Sequence, residues 1–252
     1  MTSKGELQVS IQNRIASVTF SHPSANSFPA ELLQKLTDCL DSLSKNDDVS
    51  VILLRSAGEG AFCAGASFDE LLAVQDLEEG NRFFSGFANV LNAMRRNSKL
   101  IVGRIHGKAV GGGVGLAAAC DYAFGCDASE IKLSELAIGI GPFVIAPAVE
   151  RKMGLNALTE LTLNPGDWKS ATWAKTHGLY AEVFSNSHLL DEAINLFCRR
   201  IAGYNPDAIT QIKKSLWQGT DNWSTLLYDR AAISGSLVLS DYTRRALAEF
   251  KK

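Results

Sequence analysis

Apolar and polar positions alternate along LQVSIQ (7–12) and again along IASVTF (15–20), with Asn13-Arg14 between them. A period of two on either side of a two-residue polar break predicts a β-hairpin. The period then changes. After HPSANS (22–27), Leu32, Leu36, Leu40 and Leu43 recur at helical spacing and give one buried stripe, with Ser27 placed to cap the helix and Pro29 suited to its first turn. VSVILLR (49–55) and KLIVGRI (99–105) are short, apolar and β-branched, as strands buried on both faces are. Around them lie a glycine-rich loop (58–66), helical segments reaching Arg96, a glycine cluster, a helix of small residues and a further strand in YAFGC (122–126). Strand and helix alternate, which predicts an α/β core with a largely parallel sheet. From about residue 143 helical spacing takes over: Ala193, Ile194, Phe197 and Ile201, then Ile209, Ile212 and Leu216, then Leu247 and Phe250. The last third reads as all-helical. No Pro/Ser/Gly-rich linker or fixed-period repeat divides the 252 residues, so it extends the core more naturally than it forms a separate domain.

Composition narrows the classes. The chain carries 25 basic and 27 acidic side chains, a formal charge of −2, and is 46% hydrophobic and 21% charged, the balance of a globular protein. That near-neutrality lacks the concentrated Lys/Arg excess that phosphate backbones require, so no nucleic-acid partner is expected. No apolar run reaches the roughly 18 residues of a membrane span. MTSKGELQVS lacks the apolar centre of a secretory signal, and a cytoplasmic protein with no membrane partner is expected. Cys39, Cys63, Cys120, Cys126 and Cys198 are widely spaced and mostly set among apolar residues, which predicts free buried thiols. His22, His106, His177 and His188 show no ligand-like spacing, so no metal site is expected, and His106 is expected to be a partly buried, hydrogen-bonded imidazole.

Two glycine-containing loops follow the buried strands, FCAGASFDEL (62–71) and HGKAVGGGVGLAAACDY (106–122). In α/β sheets ligands bind beyond the carboxyl ends of strands. Gly111, Gly112 and Gly113 lack a Cβ, so a ligand can approach the backbone where the next helix presents unpaired N–H groups. Close helix-on-strand packing is the structural alternative. Residues 113–118 satisfy a loose dinucleotide pattern without its turn or its acidic partner, and the phosphate-loop and serine-elbow signatures are absent. Glu135, in KLSELAIGIGP, has apolar neighbours that would raise its pKa and suit it to proton transfer. Asp69 and Glu70 read as a solvated helix face, Phe83, Phe84 and Phe87 as core or pocket wall, and Arg244, Arg245, Lys251 and Lys252 as a basic helix end.

In this order, HPSANS, FCAGASFDEL, IHGKAVGGGVGLAAACDY, SELAIGIGP and the later Trp173, Gly178-Leu179 and Glu182-Val183 resemble the enoyl-CoA hydratase/isomerase (crotonase) family, over residues 7–203. The resemblance implies a crotonase-like (ClpP/crotonase) α/β spiral of repeated β-β-α turns over 1–195. An all-helical region over 196–252 would then serve trimerisation and cover the pocket, in a homotrimer or dimer of trimers. It implies an acyl-CoA thioester substrate, with coenzyme A entering as part of that substrate and no separate cofactor. The thioester oxygen would lie between the N–H groups of Ala66 and Gly112, and Glu135 would exchange a proton at the α-carbon. Asn26, Ser27, Phe28, Ala64, Ser67, Phe68, Gly111, Gly115, Pro142 and Phe143 would flank the thioester and its CoA.

Three departures matter. Gly115 stands where hydratases of this family carry a first glutamate, Ser67 replaces an acidic residue, and Gly141-Pro142-Phe143-Val144 replaces a proline-glycine run. A single carboxylate is similar to the pattern of the family's Δ3-Δ2 enoyl-CoA isomerases, the favoured expectation. A hydratase with a substitute base, in fatty-acid or branched-chain acyl-CoA degradation, other enolate chemistry such as decarboxylation, and a non-catalytic acyl-CoA-binding subunit stay open.

Overall fold

The computed structural model describes residues 5–250; residues 1–4 and 251–252, including the Lys251-Lys252 pair, lie outside the described residues, as does the side chain of Phe250. Strands β1 (Glu6–Gln12) and β2 (Ile15–Ser21) form the predicted hairpin, with φ of 52° at Asn13 and 63° at Arg14, as a primed two-residue turn requires. Helix α1 (Ala30–Ser44) buries the leucine stripe together with Leu33. Ser27 does not cap it: its Oγ pairs with His22 Nδ1, and the free Ala30 N–H donates to Glu70 Oε2 at 2.8 Å. Glu70 is thus a cap for a neighbouring helix and not only a solvated group.

The chain continues through β3 (Val51–Ser56), α2 (Phe68–Ala73), α3 (Leu77–Arg96), β4 (Leu100–Ile105), β5 (Ala109–Val110), α4 (Gly112–Ala119), β6 (Tyr122–Cys126) and β7 (Ile131–Lys132). A 3-10 turn (Glu135–Ile138) leads to α5 (Ala146–Met153), α6 (Leu155–Leu163), α7 (Ala171–Thr176), β8 (Glu182–Phe184), α8 (Ser187–Ala202), α9 (Pro206–Leu216), α10 (Trp223–Leu237) and α11 (Asp241–Phe250). The main sheet has the order β1-β2-β3-β4-β6-β8, parallel from β2 onward; β5 and β7 pair separately, also parallel. Both faces are buried. Ile52, Leu54 and Ile101 face α1, α3 and α4, while Val51, Leu53, Val102 and Phe124 pack on Leu190, Ile194 and Cys198 of α8. This two-sided cover explains why the central strands read as continuous apolar runs.

One expectation for the last third fails. It is not all-helical, because β8 pairs with β6 through Phe124↔Glu182 and its neighbours; three residues are too few to carry a period-two signal. Ile212 and Leu216 are exposed, at 49% and 50%, while α9 buries Ile209 and Lys213. The Lys213 ammonium donates to Asp121 Oδ2 at 2.9 Å and to the Lys99 carbonyl at 2.9 Å, and Asp121 also accepts from the Ile101 N–H and Trp217 Nε1. A hydrophobic pattern cannot show a helix docked by a charge. Asp121→Ala, which strands a buried cation, is expected to cost about 3–5 kcal/mol by urea denaturation, and adding Lys213→Met should return part of the loss.

Helix α8 carries the chain without a break across positions 195 and 196, where core and helical region divide in the sequence reading. Trp217, Trp223, Leu227 and Ala231 share one core with the strands. Helices α3 and α10 meet where Gly80 faces Gly235: a Cβ on Gly80 would lie 2.7 Å from the Gly235 carbonyl oxygen. That contact brings Ser234 to the candidate site.

Candidate active site

Three segments beyond the carboxyl ends of β2, β3 and β4 are joined through their backbones. Ala64 N–H donates to Ala25 O at 3.1 Å, Phe28 N–H to Gly65 O at 2.8 Å and Ser67 N–H to Phe28 O at 3.0 Å. Cys63 N–H donates to Lys108 O at 3.2 Å and Val110 N–H to Cys63 O at 2.9 Å, binding the first glycine loop to the second. Gly65, at φ 89°, lies against that second loop; a Cβ there would stand 2.9 Å from Val110 O and 3.3 Å from Gly112 N. Within this network the N–H groups of Ala66 and Gly112 donate to no partner among the described residues, while those of Gly65, Ser67 and Gly111 beside them do. For Gly112, the first residue of α4, an unpaired N–H is inherent to a helix start.

Both amides line a cavity of about 140 Å³. Ala64, Phe68, Gly111, Glu135, Pro142 and Phe143 also reach it. Glu135 is delivered by β7, which the Gly111 N–H anchors through the Lys132 carbonyl at 2.9 Å. Its Oε2 is buried without a hydrogen-bond partner, and its Oε1 would lie 2.7 Å from a Cβ on Gly111. Gly111 is therefore required twice, for its φ of 52° and for the space the carboxyl group occupies. Burial pushes the Glu135 carboxyl up to about 7, opposed weakly by the backbone amides of Glu135 and Ser134. A carboxylate so placed ionises near neutral pH, where general bases act best.

Five residues expected on the substrate do not line the cavity. Asn26 is buried, donating to the Ala57 and Ala61 carbonyls at 3.0 and 2.9 Å and holding a turn in which Ala25 and Asn26 both have positive φ. Ser27 is spent on His22, and Phe28 packs on Phe20 and Phe87. Ser67 caps α2 through the Glu70 N–H. Gly115 is buried in α4, where a Cβ would stand 2.4 Å from Ile145 Cγ2. The space beside Gly115 is thus filled by an isoleucine, which no local signal in the sequence announces. His106 stays off the cavity as well. It is 3% exposed, more deeply buried than expected, and burial with the Arg104 and Arg55 charges lowers it to about 4 against the Glu59 charge and the Gly58 backbone.

The remaining wall is apolar. Phe83, Phe84 and Phe87 of α3, Leu71 of α2 and Ile140 line it, with Ser234 from α10 as a polar contribution that the sequence did not reveal. Cys63, Cys120, Cys126 and Cys198 are buried free thiols and Cys39 is partly buried.

Residues 10–247 match the sequence model of the enoyl-CoA hydratase/isomerase family. Similar proteins include a peroxisomal Delta(3,5)-Delta(2,4)-dienoyl-CoA isomerase of Arabidopsis thaliana, 27% identical, with 86% of this chain and 83% of the relative covered. The (E)-benzylidenesuccinyl-CoA hydratase of Thauera aromatica is 30% identical over 84% of this chain and 82% of its own length. Among solved structures, an enoyl-CoA hydratase from Bacillus halodurans superposes with a TM-score of 0.89 at 21% identity, covering 96% of this chain and 99% of that one.

Proposed function

The chain belongs to the enoyl-CoA hydratase/isomerase family, and we propose that within it the protein is a single-glutamate isomerase, moving the double bond of an acyl-CoA from the 3,4 to the 2,3 position. One observation carries the reading: among the described residues lining the cavity Glu135 is the sole carboxylate, and Ile145 fills the space beside Gly115. The thioester oxygen accepts from the Ala66 and Gly112 amides. Glu135 takes a proton from C2, the electron pair delocalises over the thioester oxygen and C4 as a dienolate, and the same carboxyl group returns the proton at C4. Atoms balance without water. Each well-placed oxyanion donor is worth about 10²- to 10³-fold in rate.

Purified protein incubated with a 3-enoyl-CoA should generate the conjugated 2-enoyl thioester, followed by its absorbance. No acceleration over buffer overturns the proposal, and solvent oxygen incorporated from labelled water into a 2-enoyl-CoA replaces it with hydration. The plug at Ile145 gives a separate expectation. Gly115→Glu alone collides with Ile145 and should lose stability by about 1–3 kcal/mol without gaining hydration. Combined with Ile145→Gly it has room, and labelled-water incorporation should rise about 100-fold over the parent, the low end of what a general base contributes. An unchanged rate would mean that Ile145 is not what keeps water chemistry out.

A further inference from the structure

The Glu135 cavity ends at Pro142 and Phe143, and a second cavity, of about 320 Å³, begins at the same two residues. Ala146 and Pro147 of α5 and Leu158 and Leu163 of α6 give it an apolar wall. Its polar members offset one another, with Glu150 acidic and exposed, Arg230 basic and half-buried, and the Thr159 hydroxyl spent on the Leu155 carbonyl at 2.8 Å, so the apolar wall is what favours an alkyl chain. Phe143 borders both spaces, its ring seated on Gly141, where a Cβ would fall 2.5 Å from its Cε2. The seat exists because Gly141 has no side chain. Phe143 stacks on no other ring among the described residues, whereas Phe28, Phe83, Phe84 and Phe87 each do. It is half-buried, in an irregular segment between Gly139, at φ 78°, and the start of α5.

We propose that Phe143 is a gate that sets acyl chain length. With the ring on Gly141, an acyl tail ends in the Glu135 cavity. With the ring turned away, the distal carbons of a longer, straight alkyl chain enter the second cavity. The inference rests on the reading that the thioester sits at Ala66 and Gly112, and it adds the substrate class: unbranched chains whose tolerated length is governed by one side chain.

Saturated acyl-CoA thioesters of four to sixteen carbons, which cannot isomerise, test the gate by calorimetric titration. Each methylene that enters an apolar space tightens binding by about fourfold. In the parent protein that gain should level off at the gate. In Phe143→Ala it should continue, so that the ratio of twelve-carbon to four-carbon affinity rises at least about tenfold; Phe143→Leu should move the same way by less. Adding Thr162→Trp to Phe143→Ala, which fills the second cavity, should return the ratio toward the parent value. A ratio unmoved by Phe143→Ala and Phe143→Leu, or unaffected by Thr162→Trp, overturns the gate. Tighter binding of an ω-carboxylated chain than of an alkyl chain of equal length overturns the alkyl assignment. If no thioester of any length binds the parent, the underlying reading of the site fails, an outcome distinct from a bound short chain with an unmoved ratio.

Discussion

Glu135→Gln is expected to lower turnover by about 10²- to 10⁴-fold, the contribution of a general base, while shifting stability in the variant's favour as pH rises. The two effects share a cause. In the parent the Oε2 atom is buried without a partner, and burial raises the carboxyl from its ordinary 4.5 to about 7. The folded state therefore holds this proton more tightly than the unfolded chain does, and the stability it contributes is complete below about 4.5 and lost as pH climbs through about 7. A shift of that size corresponds to about 3 kcal/mol. Urea denaturation at pH 4 and pH 8 should show the difference between variant and parent moving by about that amount, the variant gaining at the higher pH. In the parent, kcat/KM should rise with pH to a plateau above about 7, since the base works deprotonated. An inflection in the ordinary carboxylate range, or turnover that survives the substitution with product unchanged, would remove Glu135 from the chemistry.

Why this acid could be read from the sequence, and its surroundings could not, follows from the range of each interaction. Leu133, Leu136 and Ile138 beside Glu135 are local, so an apolar setting was legible. The β1–β2 hairpin, the α1 stripe and the strands before both glycine loops were legible for the same reason, since each signal repeats within one element. What escaped depends on partners distant in the chain. Ile145 lies 30 positions after Gly115 and meets it only because α5 packs on α4. Lys213 is buried because Asp121 waits just before the start of β6, and β8 exists because β6 leaves an edge to pair with. The Asn26 side chain ties its loop to the one after β3 through the Ala57 and Ala61 carbonyls, and Ser27 pairs with His22. The resemblance places the backbone there near CoA, and the Asn26 side chain holds that backbone against the loop that carries Ala66.

Gly112→Ala is expected to cost about 10²- to 10³-fold in kcat/KM, the effect of misplacing one oxyanion donor. The added Cβ would fall 2.3 Å from Phe87 Cε1 and 2.4 Å from Cζ. Phe87 is 5% exposed and packs edge-on to Phe28 at 6.3 Å, so the ring has little freedom to yield and the helix start must move instead. Overpacking of this kind also costs about 1–3 kcal/mol of stability, which alone could lower activity in a crude assay. Gly115→Ala separates the two. Three residues further along α4, its Cβ would collide with Ile145 Cγ2 at 2.4 Å, a comparable insult to packing, but its N–H is already spent on the Gly111 carbonyl at 3.2 Å. Measured on folded protein at matched temperature, Gly115→Ala should lose similar stability with a far smaller fall in kcat/KM. Relief of the clash in Gly112→Ala by Phe87→Leu should then recover rate along with stability, because the amide can return to its place. Equal rate losses at positions 112 and 115 would mean that Gly112 serves packing, and that its N–H does not hold the thioester oxygen.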